Sequence, residues 1–430
     1  MSSRRDFIRL AAGTTAWLLL DGVGCGRSTS GRKNSKDADT SVKAQRPRYF
    51  VQLLLSGGHD TVYTTDPKTR GEVRGDIDLP QKNQIVDSGK LRLGAHFAPL
   101  ARYADRLSFL NGVQVGTANH ETGLKQFVRL KTNVSERMPG VLDIIGRQRR
   151  QDQPIAAIHL NMFHRVLHTP SFFGNPDRFY YGERTIWEAM AEADKDQLAS
   201  MASVMKRESA SLRRRGALSR EGQVTAEHLD DVAAFFTRMT QVEPFVPTQV
   251  ADDYVAQSMA ESMQRTVWLL ENDLTCGVLI DVGLLGWDTH QRNDARQSDM
   301  NGNFVKHFSW FLDALGSRKN QHGVLADTTA VVGGSDLGRF PRLNDMLGKD
   351  HLPQTAFFFS GPGIAAGQVF GQTGTEMEAR PISLSTGRVP QRGGGREIIL
   401  DDVGTTLMVL AGLDPQRYGY TGAVLDFLLT

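Results

Sequence analysis

A series of short, almost wholly apolar runs, each closed by glycine and polar residues, constrains this chain more than any other feature. Residues 49–55 are followed by Ser56-Gly57-Gly58-His59-Asp60, and residues 107–113 by Gly116-Thr117-Ala118-Asn119-His120-Glu121-Thr122. Residues 277–282 lead into Gly286-Trp287-Asp288-Thr289-His290, and 328–332 into Gly333-Gly334-Ser335-Asp336-Leu337-Gly338-Arg339. Residues 355–359 lead into Ser360-Gly361-Pro362-Gly363, and 155–160 read as a further strand. A strand buried on one face alternates apolar with polar residues; one buried on both faces, as in a parallel sheet, reads as a continuous apolar run. Helical stretches fall between the runs, at 98–103, 139–149, 303–317 and 400–411. The alternation predicts an α/β fold: a three-layer α/β/α, doubly wound domain on a mostly parallel sheet.

In such sheets the ligand site lies beyond the carboxyl ends of the strands. Asp60, His120, Asp288, His290 and Asp336 each stand just after an apolar run, so this fold would gather them along one edge. Asp350-His351 follows Asp336 by a short glycine-containing loop and can fold back to the same edge. Taken singly, each residue has a plainer reading. An aspartate after a glycine turn is a common cap or turn former, and a lone histidine is commonly structural. The argument rests on their number and shared position. Carboxylates and imidazoles converging on one cleft make a divalent-metal site, and mixed ligands of this kind suit zinc or manganese better than calcium.

Residues 185–275 interrupt the alternation with a charged, mostly helical block. We expect an insertion there that either shapes access to the site or only stabilises the domain; its Arg213-Arg214-Arg215 run reads as a solvated helix end. The N-terminus differs again. Ser3-Arg4-Arg5-Asp6-Phe7-Ile8-Arg9 carries paired arginines ahead of an apolar stretch at 10–20. That stretch is shorter than the roughly 20 residues that span a bilayer as a helix. Residues 1–25 therefore read as a twin-arginine export signal, with the twin-arginine translocase as partner during export. Gly22-Val23-Gly24-Cys25 leaves two endpoints: a membrane-anchored lipoprotein, or ordinary processing and release to the periplasm. Residues 26–46 have almost no apolar side chains and read as a flexible linker. Residues 47–430 remain, enough for one large domain or two smaller ones. A net charge of +2 gives nucleic-acid binding no support. The chain has two cysteines, and a lipid on Cys25 would leave Cys276 unpaired, so no disulfide framework is expected.

The ordered motifs from Ser56-Gly57-Gly58-His59-Asp60 to Asp350-His351 resemble the bacterial family named domain of unknown function 1501. The likeness continues through Gly361-Pro362-Gly363-Ile364-Ala365-Ala366-Gly367, Gly371-Gln372-Thr373 and Leu413-Asp414-Pro415 with Gly422, and so spans residues 48–430. Gly286-Trp287-Asp288-Thr289-His290 is its most specific element. That family is similar to the alkaline-phosphatase-like and sulfatase-like superfamily. The resemblance implies a hydrolase fold with one or two divalent ions, zinc or manganese favoured and magnesium or calcium as alternatives. By this likeness Asp60 and Asp336 would hold one ion, and Asp288, His290 and His351 the other. Two positions depart from the pattern: members commonly carry glutamate where Asp336 stands, and serine where Asn119 stands.

The expected activity is hydrolysis of a small anionic phosphate or sulfate ester in the cell envelope. His120 would act as general acid/base or further ligand, and Arg339 would contact the substrate anion. With Asn119 in place of serine, Thr117 or Thr122 would supply the nucleophile, or water would attack directly. The alternative is an envelope binding or assembly module that keeps the fold without turnover.

Overall fold

The computed structural model describes residues 46–81, 84–89, 91–135, 138–149, 153–161, 194–214 and 220–430. The export signal, Cys25, all of the linker but Arg46, and residues 185–193 of the helical block lie outside the described residues.

Among the described residues, eight strands form one sheet: β1 (Tyr49–Leu54), β2 (Leu107–Gln114), β3 (Ile155–Leu160), β4 (Thr275–Asp281), β5 (Thr329–Gly334), β6 (Gln354–Ser360), β7 (Gln368–Phe370) and β8 (Ile398–Ile399). Their order is β7-β2-β6-β5-β1-β4-β3, with β8 also paired to β2. Every pairing is parallel except those of β6, which runs antiparallel to both β2 and β5.

Among the described residues, seven α-helices accompany the sheet: α1 (His120–Arg129), α2 (Val141–Arg149), α3 (Lys195–Arg214), α4 (Arg220–Met239), α5 (Tyr254–Glu271), α6 (Asn293–Ser317) and α7 (Leu400–Leu410). Strand β1 shows why its apolar run is unbroken. Tyr49, Val51 and Leu53 enter one core with Met259 and Met263 of α5 and Phe304 and Phe308 of α6. Phe50 and Leu54 enter a second core with Phe127 of α1, Ile145 of α2 and Val403 of α7. Each fully buried side chain of this size contributes about 1.5–3 kcal/mol. Gln52 is the one side chain in the strand with an amide, and its nitrogen donates to the Phe127 carbonyl at 2.7 Å. The architecture is a three-layer α/β/α sandwich. Within the helical block, Leu198 of α3 and Phe235, Phe236 and Met239 of α4 join the first core.

The elements differ from the sequence reading in four places. Residues 98–103 form a 3₁₀ segment, Ala98–Tyr103, with Pro99 in its first turn. Helix α6 starts ten residues before the expected 303, and α1 was not anticipated. The direction of β6 matters most. Its start, Gln354, pairs with Gln114 at the end of β2. What precedes β6, Asp350-His351, is thus delivered to the edge where β1, β2, β4 and β5 finish. Ser360-Gly361-Pro362-Gly363, which follows it, goes to the opposite edge.

Candidate metal centre

The loops after β1, β4 and β5 are pulled together by backbone that needs glycine. Gly57 has φ +107°, and a Cβ there would lie 2.4 Å from the amide nitrogen of Asp288. The Gly57 amide donates to Asp336 Oδ1 at 2.9 Å, and the Gly58 amide to Ser335 Oγ at 3.0 Å. Trp287 is fully buried and donates from Nε1 to Asn301 Oδ1 at 2.9 Å, which anchors the loop carrying Asp288 and His290. Gly123 of α1 lets that helix press on the loop after β5, since a Cβ there would meet the Asp336 carbonyl at 2.6 Å. The Gly348 backbone rests on His290, and the Lys349 amide donates to the Thr289 carbonyl at 3.0 Å.

These supports bring three imidazoles around one carboxylate oxygen. Asp288 Oδ1 lies 3.3 Å from His120 Nε2, 3.2 Å from His290 Nε2 and 3.3 Å from His351 Nε2. The ligating atoms of His120, Asp288 and His351 all fall within 4.8 Å of one another. The Nδ1 of every ring is already committed to an acceptor. His120 Nδ1 meets Asp336 Oδ2 at 2.6 Å, His290 Nδ1 meets Asp350 Oδ1 at 3.1 Å, and His351 Nδ1 donates to the Ala118 carbonyl at 2.6 Å. A carbonyl only accepts, and an ionised carboxylate only accepts, so the neutral rings carry their protons on Nδ1. Their Nε2 lone pairs then face Asp288, and those of His290 and His351 face each other at 2.9 Å. The buried His120 Nε2 makes no hydrogen bond. Lone pairs opposed in this way are repulsive until a cation or additional protons stand among them. Histidines oriented through Nδ1 by carboxylates and carbonyls, with Nε2 presented together, are the arrangement of metal ligands. The donor set fits one divalent ion.

Of the residues singled out in the sequence, the fold thus unites His120, Asp288, His290 and His351, with Asp336 and Asp350 orienting two of the rings. Asp60 and Asp336 do not share a site. Asp336 is turned to His120 and the Gly57 amide, while Asp60 Oδ2 accepts from Lys349 Nζ at 2.6 Å and Asn293 Nδ2 at 2.9 Å. Arg339 differs from expectation because its guanidinium is wholly buried. Its Nη2 donates to Asp288 Oδ1 at 2.7 Å and to the Gly57 carbonyl, its Nη1 to the Lys349 carbonyl and its Nε to the Gly58 carbonyl. Arg339 therefore clamps three loops and turns none of its nitrogens to a substrate. Thr117 and Thr122 serve the start of α1. Thr117 Oγ1 accepts from the Asn119 amide, and Asn119 caps the helix by accepting from the Thr122 amide at 3.1 Å. Lys349 was missed altogether, because a lysine beside Asp350 reads as part of a solvated loop.

The charges favour positive charge at this spot. Burial is the largest influence on His120 and opposes its proton, but the bonds and charges of Asp288 and Asp336 outweigh it and raise the imidazole to about 9, so without a metal ion a proton on Nε2 takes the place among the ligand atoms that a cation would fill. Burial likewise works against the Asp288 charge, yet His120, His351 and Arg339 hold that carboxyl far below the usual range. Asp350 is exposed and is lowered by Asn344 and His290. His59 is fully buried against Phe97, and burial lowers it to about 4, so it stays neutral.

Fold and site together define an α/β/α protein with a histidine–carboxylate centre at the edge where its parallel strands end. A family model described as "Protein of unknown function (DUF1501)" matches residues 191–430, and the chain belongs to that family. No curated protein matches it. Similar solved structures include the lipoteichoic acid synthase LtaP from Listeria monocytogenes, at 10% identity and TM-score 0.45, covering 90% of this chain and 77% of that one. A putative sulfatase from Bacteroides thetaiotaomicron VPI-5482 is similar at 11% identity and TM-score 0.42, covering 89% and 74%.

Proposed function

We propose that this protein is an exported, metal-dependent hydrolase acting on a phosphate or sulfate ester in the cell envelope. The observation that carries the reading is the convergence of three imidazole Nε2 atoms on Asp288 Oδ1, each ring fixed from behind. A divalent ion held by His120, Asp288, His290 and His351 would neutralise the anionic oxygens of the ester and acidify an attacking water.

The chain's own groups prepare the rest. Asp336, Asp350 and the Ala118 carbonyl keep protons at Nδ1 and so leave Nε2 free to ligate. Helix α1 begins at His120, so its positive end adds potential for an anionic oxygen. The loop joining Arg339 to Lys349 exposes Phe340, Leu343, Met346 and Leu347, and Asn344 of that loop contacts His290 and Asp350. An ester with an apolar organic portion would find cover there. The hydroxyls of Thr117 and Thr122 have no hydrogen bond to the cluster among the described residues, which favours attack by water over a covalent route.

One observation supports a second reading. Asn119, which stands where the family resemblance leads one to expect serine, is committed to capping α1, and a centre without a hydroxyl nucleophile also suits binding without turnover. A panel of phosphomonoester, phosphodiester and sulfate-ester substrates separates the two. Hydrolysis that chelation abolishes, and that Asp288→Ala lowers by at least about 100-fold, is the expected result. No turnover on any ester by metal-loaded protein would leave the binding module, and turnover unaffected by Asp288→Ala would remove this centre as the catalyst.

A further inference from the structure

Lys349 carries no exposed surface. Its ammonium lies 2.6 Å from Asp60 Oδ2 and 3.1 Å from Asp78 Oδ2, and 4.6 Å above the Tyr63 ring. The remaining contacts complete the cage. Asp60 accepts from Asn293 Nδ2 at 2.9 Å and from the Val62 amide at 3.2 Å, and Asp78 Oδ2 accepts from the Tyr63 hydroxyl at 2.7 Å. Asp60 nonetheless stands just after β1, on the edge where the metal cluster forms.

We propose that Lys349 is a built-in second cation, and that the centre therefore takes a single divalent ion. A divalent ion on Asp60 would sit at contact distance from the ammonium, and like charges so close inside protein repel strongly. The lysine is placed by the same loop that builds the cluster: its amide is bound by Thr289, its carbonyl by Arg339, and His351 follows two residues later. Unlike an ion, it cannot be removed by a chelator. Its one positive charge is shared between Asp60 and Asp78 without offering a Lewis acid, so any polarisation of substrate comes from one metal.

This rests on the reading of His120, Asp288, His290 and His351 as ligands, and the test keeps the two apart. Metal-stripped protein is reconstituted with zinc or with manganese, and bound metal per chain and affinity are measured by elemental analysis and calorimetry. Wild type is expected to bind one ion, and Asp60→Asn also one, with affinity changed by less than the roughly 10-fold that losing even an outer-shell partner costs. Two ions in wild type, or a larger loss of affinity in Asp60→Asn, overturns the proposal. No ion in wild type overturns the metal reading itself. Should Asp60→Asn fail to fold, Asp60→Asn with Lys349→Met removes both charges of the pair, and the same single ion is expected. Loss of that ion in the folded double variant counts against the proposal.

Discussion

Asp288→Asn removes one charge while keeping the side chain's shape, and its consequences divide into two measurable parts. In metal-free protein, Arg339 keeps the carbonyls of Gly57, Gly58 and Lys349 but loses its carboxylate partner. Breaking a fully buried ion pair costs about 3–5 kcal/mol. The Asp288 side chain is 30% exposed, and three other bonds persist, so about 1–2 kcal/mol is expected. The second part is metal linkage. Loss of an outer-shell partner weakens metal sites by roughly 10–100-fold, and loss of a ligand by at least the upper figure. Metal at 100 times its Kd stabilises the wild type by about 2.7 kcal/mol; at the same concentration a 100-fold weaker variant gains only about 0.4 kcal/mol. Urea unfolding with and without zinc or manganese reads both quantities. Equal metal-induced stabilisation in the two proteins would refute the assignment of Asp288 as a ligand.

Three further outcomes follow from the structure. Gly57→Ala forces a Cβ to within 2.4 Å of the Asp288 amide at φ +107°, so its urea midpoint should fall by the equivalent of more than about 1 kcal/mol at unchanged slope. Asp281 is fully buried, accepts from Ser56 Oγ at 2.6 Å, and is raised by burial from 3.8 to about 7. Its folded state holds the proton more tightly, so its stabilising contribution is complete below the unfolded value and is lost as pH rises through about 7, by up to about 4 kcal/mol; Asp281→Asn should lose less stability than wild type between pH 5 and 8. Replacing Arg4 and Arg5 by lysine should leave precursor in the cytoplasm, and cell fractionation showing unchanged export would remove the twin-arginine assignment.

The sheet was legible because strands covered on both faces have nowhere to put polar residues, so β1, β4 and β5 stand out as continuous apolar runs. The edge that gathers the site followed from those runs and from the glycines that end them. The direction of β6 was not legible, since residues 355–359 have the same composition whichever way the strand runs. His351 reaches the site because β6 is reversed, and its arrival could be anticipated only from the spacing to Asp336. The burial of Arg339 and Lys349 was hidden for another reason. A cation's partners are set by tertiary contacts 50 to 290 positions away, such as Asp288 for Arg339 and Asp60 for Lys349. The helix beginning at His120 was obscured by Gly123, a poor helix former retained where the chain packs against the Asp336 carbonyl.

The most direct test is anomalous diffraction from crystals of the mature protein grown with zinc or manganese. The account predicts one peak per chain, roughly 2.0–2.3 Å from the Nε2 atoms of the histidine cluster and an oxygen of Asp288. The Lys349 ammonium should remain on Asp60. No peak at the cluster, or a peak bound by Asp60 and Asp336, would contradict it.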